Sequence, residues 1–144
     1  MKASGSLYFA DEGYLAWQKN LVEPYLKQCR KYAYFHSYDG ASIFYQQYLA
    51  AGADTCIVIS HGFSEFAEKY NEVIYYFLQQ GCSVYILEHR GHGYSEREVA
   101  DEQKVYVHDF EDYVKDLDCI MKKMNCRMEQ HRILFAHSMG GAIA

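Results

Sequence analysis

The sequence predicts an α/β fold in which an antiparallel hairpin is followed by parallel strands, with helices on both faces of the sheet. Three observations indicate this fold. An Asp-Gly pair separates two runs rich in aromatic and β-branched residues, three short apolar runs follow, and amphipathic segments lie between them. Alternation of strand and helix is typical of parallel sheets with right-handed crossovers. With 50% hydrophobic residues in a chain of 144, one domain can bury a hydrophobic core.

The N-terminal segment has a loose helical pattern over residues 11–30, which we expect Pro24 to interrupt. We therefore assign residues 1–30 to an N-terminal helical extension. Residues 31–144 are assigned to the N-terminal part of the core domain.

The hairpin is predicted around Asp39-Gly40. The runs that flank this pair extend from Tyr32 to Ser37 and from Ile43 to Leu49. An Asp-Gly pair suits the positive φ angles of a tight turn, so the two runs are predicted to be antiparallel strands.

Three continuous apolar runs have the length and composition of strands buried on both faces of a parallel sheet. They are Thr55–Ser60, Ser83–Leu87 and Arg132–Ala136. Between them, apolar residues recur at helical spacing from Tyr70 to Leu78, and Gly81 follows where a helix C-terminus favours glycine. A second helix is predicted from about Asp109 to Met124. Acidic residues in its first turn and Lys122-Lys123 near its end match the helix dipole.

Each of these three strands is followed by a loop rich in histidine and glycine. In open parallel sheets, functional groups collect at the carboxyl ends of the strands, so the loops are expected at one edge of the sheet. The loops are Ser60–Glu65, Glu88–Ser95 and Ala136–Gly141.

The third loop has the pattern of a nucleophile elbow, in which a strand runs into small-x-Ser-x-Gly and then a helix. Gly140 provides the glycine that this tight turn needs, and Ala136 replaces the usual first glycine with a methyl group. The turn would lift the Ser138 hydroxyl above the sheet, near backbone N–H groups that can hold an oxyanion. The same letters also fit a plain glycine-rich turn between strand and helix.

The first loop brings His61-Gly62 past this turn. The backbone N–H of Phe63 is then predicted to pair with that of Met139 as the two oxyanion donors. We interpret His61 as a structural histidine that bonds local backbone, and not as the general base.

The second loop places His89 and His92 near Glu88. A metal would need three well-placed ligands from a glycine-broken turn, so we predict no metal and no cofactor, and interpret the loop as a sharp turn that shapes the site. Five cysteines without a Cys-x-x-Cys pair favour a reducing compartment over a disulfide framework.

The net charge of −5 and the lack of a Lys/Arg cluster exclude a typical nucleic-acid-binding protein. No apolar run approaches the roughly 20 residues that span a bilayer. We therefore expect a cytoplasmic protein with no obligate protein partner, and leave peripheral contact with a membrane open.

Taken in order, these motifs resemble the monoacylglycerol lipase and lysophospholipase branch of the α/β hydrolases. The resemblance implies the N-terminal half of an α/β-hydrolase fold and hydrolysis of a single-chain lipid ester through an acyl-enzyme. It implies that Ser138 is the nucleophile, with Phe63 and Met139 as oxyanion donors. Supporting positions are His61, Gly62, His137, Gly140 and Gly141. The matching segments are His61–Glu65, Lys69-Tyr70, His89–Ser95, Asp109–Leu117 and Ala136–Gly141.

The chain departs from that family after the elbow. In this fold the acid and the histidine of the triad follow the serine along the chain, yet Ser138 lies six residues from Ala144. We therefore expect the acid, the base and the substrate-selecting lid beyond the chain end, and the fragment alone to be inactive. The strand at 132–136, normally central, is expected to be an apolar edge.

Two other functions remain open. The same fold could act on an amide or peptide, as in aminopeptidase relatives, or on other small esters. The chain could also be a truncated, non-catalytic product that binds a partner through its sheet edge.

Overall fold

The computed structural model describes residues 13–124 and 131–144. Five strands form one sheet in the order β1-β2-β4-β3-β5. The pairs β1–β2 and β2–β4 are antiparallel, and β3 pairs in parallel with both β4 and β5. This architecture confirms the predicted α/β class. The strands are β1 Arg30–His36, β2 Ser42–Tyr48, β3 Thr55–Ser60, β4 Ser83–Leu87 and β5 His131–Ala136.

The helices lie on both faces of this sheet. They are α1 Tyr14–Trp17, a π-helical turn Gln18–Val22, α2 Glu23–Cys29, a 3₁₀ turn Ala67–Tyr70, α3 Asn71–Gln79, α4 Glu111–Lys123 and α5 Met139–Ile143. Helix α4 begins two residues later than predicted. Asp109 precedes the N-cap residue Phe110, and its carboxylate accepts the N–H of Glu111 at 3.0 Å.

The predicted interruption at Pro24 is wrong, because residues 14–29 are helical throughout. Pro24 lies in the first turn of α2, where its missing N–H costs little. Just before it, the N–H of Glu23 bonds to the carbonyl of Gln18 in the π-helical turn, so the hydrogen-bond register shifts where proline cannot donate. Residues 11 and 12 of the predicted pattern lie outside the described residues. The domain boundary at residue 30 stays a prediction.

The core has two parts, one on each face of the sheet. Ile57 and Ile59 of β3 face α2 and α3, whereas Cys56 and Val58 face α4 and α5. Successive residues of β3 point to opposite faces of the sheet, and helices cover both faces. All of these residues are therefore buried, which explains the continuous apolar run in the sequence. A fully buried aliphatic side chain such as Leu26, from the N-terminal helix, contributes about 1.5–3 kcal/mol to folding.

Strand β5 lies at one end of the sheet, paired with β3. Within residues 13–124 and 131–144, no strand pairs with its other edge. Ile133, Leu134 and Phe135 are 50%, 36% and 37% exposed. The strand that carries the elbow is therefore an apolar edge in this chain.

Candidate active site

Strand β5 turns into helix α5 across two residues, His137 and Ser138. Ser138 has φ 51° and ψ −121°, a backbone conformation that residues with a side chain rarely adopt. Such strain costs on the order of 1–3 kcal/mol and persists only where the surrounding structure holds it. The Ser138 side chain is exposed at this turn, so a substrate can reach its hydroxyl.

Helix α5 lies against the end of β3. A Cβ at Gly140 would overlap the carbonyl oxygen of Ser60 and stand 2.7 Å from that of His61. Two hydrogen bonds hold this approach: the His137 N–H donates to the Ser60 carbonyl (3.1 Å), and the Ser60 hydroxyl donates to the Gly140 carbonyl (3.2 Å). Only glycine fits at position 140. A Cβ at Gly141 would meet nothing within 4 Å.

Gly62 brings the first loop into contact with the serine. A Cβ at Gly62 would stand 3.3 Å from the Cβ of Ser138, 3.0 Å from Nδ1 of His137 and 2.9 Å from Oε2 of Glu65. A side chain at position 62 would therefore crowd the residues of both loops. The structure brings together the sequence-predicted residues of both loops.

The N–H groups of Phe63 and Met139 donate to no protein acceptor in the described part of the chain. The residue that follows each of them does have an acceptor. The Ser64 N–H donates to a histidine ring nitrogen at 3.1 Å, and the Gly140 N–H donates to the carbonyl of His137 at 2.9 Å. Met139 opens helix α5, where the first N–H groups have no intrahelical acceptor, and Phe63 is 59% exposed on its loop. Both N–H groups are thus free to donate to an acceptor from outside.

The direction of the Phe63 N–H follows from the hydrogen bonds that the Gly62 carbonyl accepts. The carbonyl of Gly62 accepts hydrogen bonds from Nδ1 of His61 (2.7 Å) and from the N–H of Glu65 (3.3 Å). In a planar trans peptide the C=O and the following N–H point in opposite directions. The Phe63 N–H therefore points away from the His61 ring.

His61 is fully buried and both of its ring nitrogens are in use. Its Nε2 accepts the N–H of His89 (3.0 Å), so the proton is on Nδ1, which donates to Gly62. Burial lowers the pKa of His61 to about 4, which keeps the ring neutral at physiological pH. The ring has no nitrogen left to accept a proton from Ser138.

A family model described as serine aminopeptidase, S33 matches residues 51–144, which include both loops and the elbow. The chain belongs to this family. Among solved structures, this chain is similar to a thermostable carboxyl esterase from Bacillus coagulans, with a TM-score of 0.69 and 22% identity over 81% of this chain and 38% of the esterase. That level of identity shows the α/β-hydrolase fold alone.

Curated relatives of this chain carry names of lipid esterases. Lysophospholipase L2 of Escherichia coli K12 is 35% identical over 80% of this chain and 34% of its own length. Monoacylglycerol lipase of Mycolicibacterium smegmatis is 35% identical over 60% of this chain and 30% of its own length. Monoglyceride lipase of Rattus norvegicus is 31% identical over 74% of this chain and 34% of its own length. The chain spans about a third of the length of these curated relatives.

The second loop lies against the first and contributes two more buried histidines, His89 and His92. Nε2 of His92 accepts the N–H of Ser64, and the ring centroids of His89 and His92 lie 4.5 and 5.0 Å from that of His61. Burial lowers the pKa of both rings. No set of three or more His, Cys, Asp or Glu residues suited to a metal occurs among the residues described. The neutral rings of His61, His89 and His92 pack against one another beneath the first loop and the elbow.

Sequence reasoning missed the buried ion pairs that anchor this second loop. Arg90 donates two hydrogen bonds of 2.7 Å to the carboxylate of Asp116 on α4, and its Nη1 lies 2.9 Å from Oδ2 of Asp39 in the hairpin turn. Glu88, fully buried, accepts the N–H groups of Ala67 (3.0 Å) and Tyr94 (2.6 Å). The sequence signal for this cluster was Glu88, a charged residue directly after the buried strand β4.

Glu65 is the other residue that sequence reasoning did not assign. It closes the first loop, and its Oε2 lies within hydrogen-bond distance of Gly62, Tyr70 and His137. The hydroxyl of Ser138, by contrast, bonds to no side chain within residues 13–124 and 131–144. A serine hydroxyl needs a general base to become a good nucleophile, and the described residues do not place one against it.

Proposed function

We propose that this chain supplies the nucleophile and the oxyanion donors of a serine hydrolase that cleaves carboxylic esters of single-chain lipids. The observation that supports this most directly is the strained, exposed Ser138 beside the unpaired N–H groups of Phe63 and Met139. A strained nucleophile with two preorganised donors is the arrangement that acyl transfer requires.

In the proposed reaction, Oγ of Ser138 attacks the acyl carbonyl and its proton passes to a general base. The carbonyl oxygen becomes an oxyanion, which accepts hydrogen bonds from the Phe63 and Met139 amides. One such donor is worth about 3–4 kcal/mol of transition-state stabilisation. The C–O bond then breaks, the leaving alkoxide takes the proton from the base, and water hydrolyses the acyl-enzyme to release the fatty acid.

We propose that the base and the acid lie beyond Ala144 in a longer protein. Both triad partners follow the serine along the chain in this fold, and the curated relatives are about three times as long as the matched segment. The rings of His61 and His92 have both nitrogens within hydrogen-bond distance of loop atoms, and His89, whose Nε2 lies 3.0 Å from the Ser60 hydroxyl, is fully buried. This supports a base from elsewhere. On this proposal the 144-residue chain alone is inactive.

The substrate class is proposed from the relatives, whose names refer to lysophospholipid and monoacylglycerol. Both compounds have one acyl chain and collect at lipid surfaces. Phe63 and Phe66, 59% and 41% exposed on the first loop, give the rim of the site an apolar surface suited to such contact. No helix in the described ranges has the length and apolar character needed to cross a bilayer.

A second candidate is an amidase or peptidase, because the matching family is described as serine aminopeptidase. The elbow and the oxyanion donors would serve either leaving group. A panel of acyl-glycerols, lysophospholipids and aminoacyl amides separates the two: turnover of the amides alone would favour the second candidate.

The experiment that tests the serine uses a fluorophosphonate probe on the full-length protein. We expect covalent labelling that Ser138→Ala abolishes. Ser64→Ala is the matched control, since Ser64 is an exposed loop serine that also has a positive φ, 57°. Labelling that persists in the Ser138 variant would remove Ser138 from the mechanism.

A further inference from the structure

One carboxylate oxygen joins the two loops that carry the oxyanion donors. Oε2 of Glu65 accepts the N–H of Gly62 at 2.8 Å and the hydroxyl of Tyr70 at 2.6 Å, and Nδ1 of His137 lies 3.3 Å away. Gly62 immediately precedes Phe63, and His137 immediately precedes Ser138. The same oxygen is therefore bonded on one side to the first loop and on the other to the elbow.

We propose that Glu65 is a positioning residue whose carboxylate fixes the first loop against the elbow, so that the Phe63 and Met139 amides face a common point. This inference rests on the function proposed above. Glu65 acts through the backbone of Gly62 and through the ring of His137, and the reacting atoms do not touch it.

The ionised carboxylate suits this position because it only accepts hydrogen bonds. Burial would raise the pKa of Glu65, but the hydrogen bonds from Tyr70, from the Gly62 N–H and from His137 outweigh it and lower the pKa to about 2. An acceptor that stays ionised gives shorter and stronger hydrogen bonds than a neutral one. An amide side chain would bring N–H donors to a place where three donors already converge.

Tyr70 connects this carboxylate to the rest of the fold. Its ring is 7% exposed and packs in the core on the α3 side of the sheet, while its hydroxyl reaches Glu65. The site thus has a rigid anchor behind the loop. Among the described residues, loss of the carboxylate would leave Gly62 with the hydrogen bonds of its carbonyl alone, from His61 and from the N–H of Glu65.

The expected consequence appears in turnover rather than in substrate binding. Charge develops on the carbonyl oxygen only in the transition state, so misplaced donors lower kcat and leave KM unchanged. A displacement of about 1 Å can cost about 10²-fold in rate. A carboxylate that bound the substrate headgroup would instead change KM.

The test compares Glu65→Ala, Glu65→Gln and Tyr70→Phe in the full-length protein, with hydrolysis of p-nitrophenyl butyrate and inhibition by an alkyl boronic acid. We expect Glu65→Ala to lower kcat by roughly 10–100-fold with KM unchanged, and to weaken boronate binding by the same factor. Glu65→Gln, which keeps one acceptor, and Tyr70→Phe, which keeps the carboxylate, should show smaller losses. Glu68→Ala is the matched control, since Glu68 is exposed one turn away.

A normal kcat in Glu65→Ala would overturn the inference, as would a raised KM with unchanged kcat. Backbone amide resonances give a readout that does not need turnover. Glu65→Ala should shift the signals of both Phe63 and Met139, and Glu68→Ala neither; a Met139 signal that stays in place would also overturn it. Failure of the wild-type protein to react with the fluorophosphonate would count against the proposed function. The amide shifts do not depend on that function, so they test the role of Glu65 separately.

Discussion

The α-carbon of Gly140 lies so close to the backbone of Ser60 that a Cβ there would stand 2.6 Å from the Ser60 carbonyl carbon. Helix α5 and strand β3 thus meet at a contact between main chains. This contact sets where the helix begins, and so where the N–H of Met139 points.

The first prediction follows from that contact. Gly140→Ala should destabilise the fold by about 1–3 kcal/mol through overpacking and should abolish fluorophosphonate labelling, because α5 must move away from β3. Gly141→Ala is the matched control. A Cβ there meets nothing within 4 Å, so probe labelling and the midpoint of urea unfolding should match those of the wild-type protein. Equal behaviour of the two variants would contradict the proposed contact.

The second prediction concerns the backbone N–H of Phe63. Phe63→Pro removes this donor and should lower the rate of probe labelling by about 10²–10³-fold. Phe63→Ala removes the exposed ring but keeps the N–H, and should label at close to the wild-type rate. Stopped-flow labelling, with circular dichroism to verify folding, measures both. If Phe63→Ala lost labelling as completely as Phe63→Pro, the side chain and not the amide would be responsible.

The third prediction concerns the ion pair between Arg90 and Asp116. Asp116→Asn leaves a buried guanidinium partly uncompensated and should lower the free energy of unfolding by about 3–5 kcal/mol. Arg90→Lys should not preserve stability, because an ammonium cannot make the two parallel hydrogen bonds to the carboxylate. Chemical denaturation measures both changes.

The control for this pair lies on the same helix. Lys122 and Asp118 form an exposed ion pair on α4, and Lys122→Met should leave the denaturation midpoint unchanged. A midpoint that falls as far in Lys122→Met as in Asp116→Asn would contradict the special weight given to the buried pair.

The fourth prediction concerns the buried histidines beneath the site. Burial lowers the pKa of His61 from 6.5 to about 4, and burial also lowers the pKa values of His89 and His92. Below pH 6.5 the unfolded chain therefore binds protons that the folded chain does not, and stability falls as the pH falls. His61 alone would cost about 3 kcal/mol by pH 4. Urea unfolding at about pH 7.5 and pH 5 tests this, and equal unfolding free energies at the two values would refute it.

Local patterns in the sequence were enough to predict most of the fold. The strand Thr55–Ser60 has its predicted bounds. At the predicted Asp39-Gly40 turn Gly40 has φ 89°, but Asp39 does not have a positive φ, and five residues separate β1 from β2. Apolar periodicity and turn chemistry depend on near neighbours, so one chain read in order reveals them. Pro24 was misjudged because a helix can shift its hydrogen-bond register before a proline, which no single residue type signals.

For the candidate site, too, some features follow from the sequence and others from the tertiary structure. The sequence by itself determined that Ser138 lies in a tight turn between a strand and a helix, because only small residues beside it make that turn possible. Only the tertiary structure decided that Gly62 meets Ser138 and that Glu65 reaches His137, 72 positions along the chain. Those contacts depend on β3 and β5 being neighbours in the sheet, and strand order results from packing of the whole core.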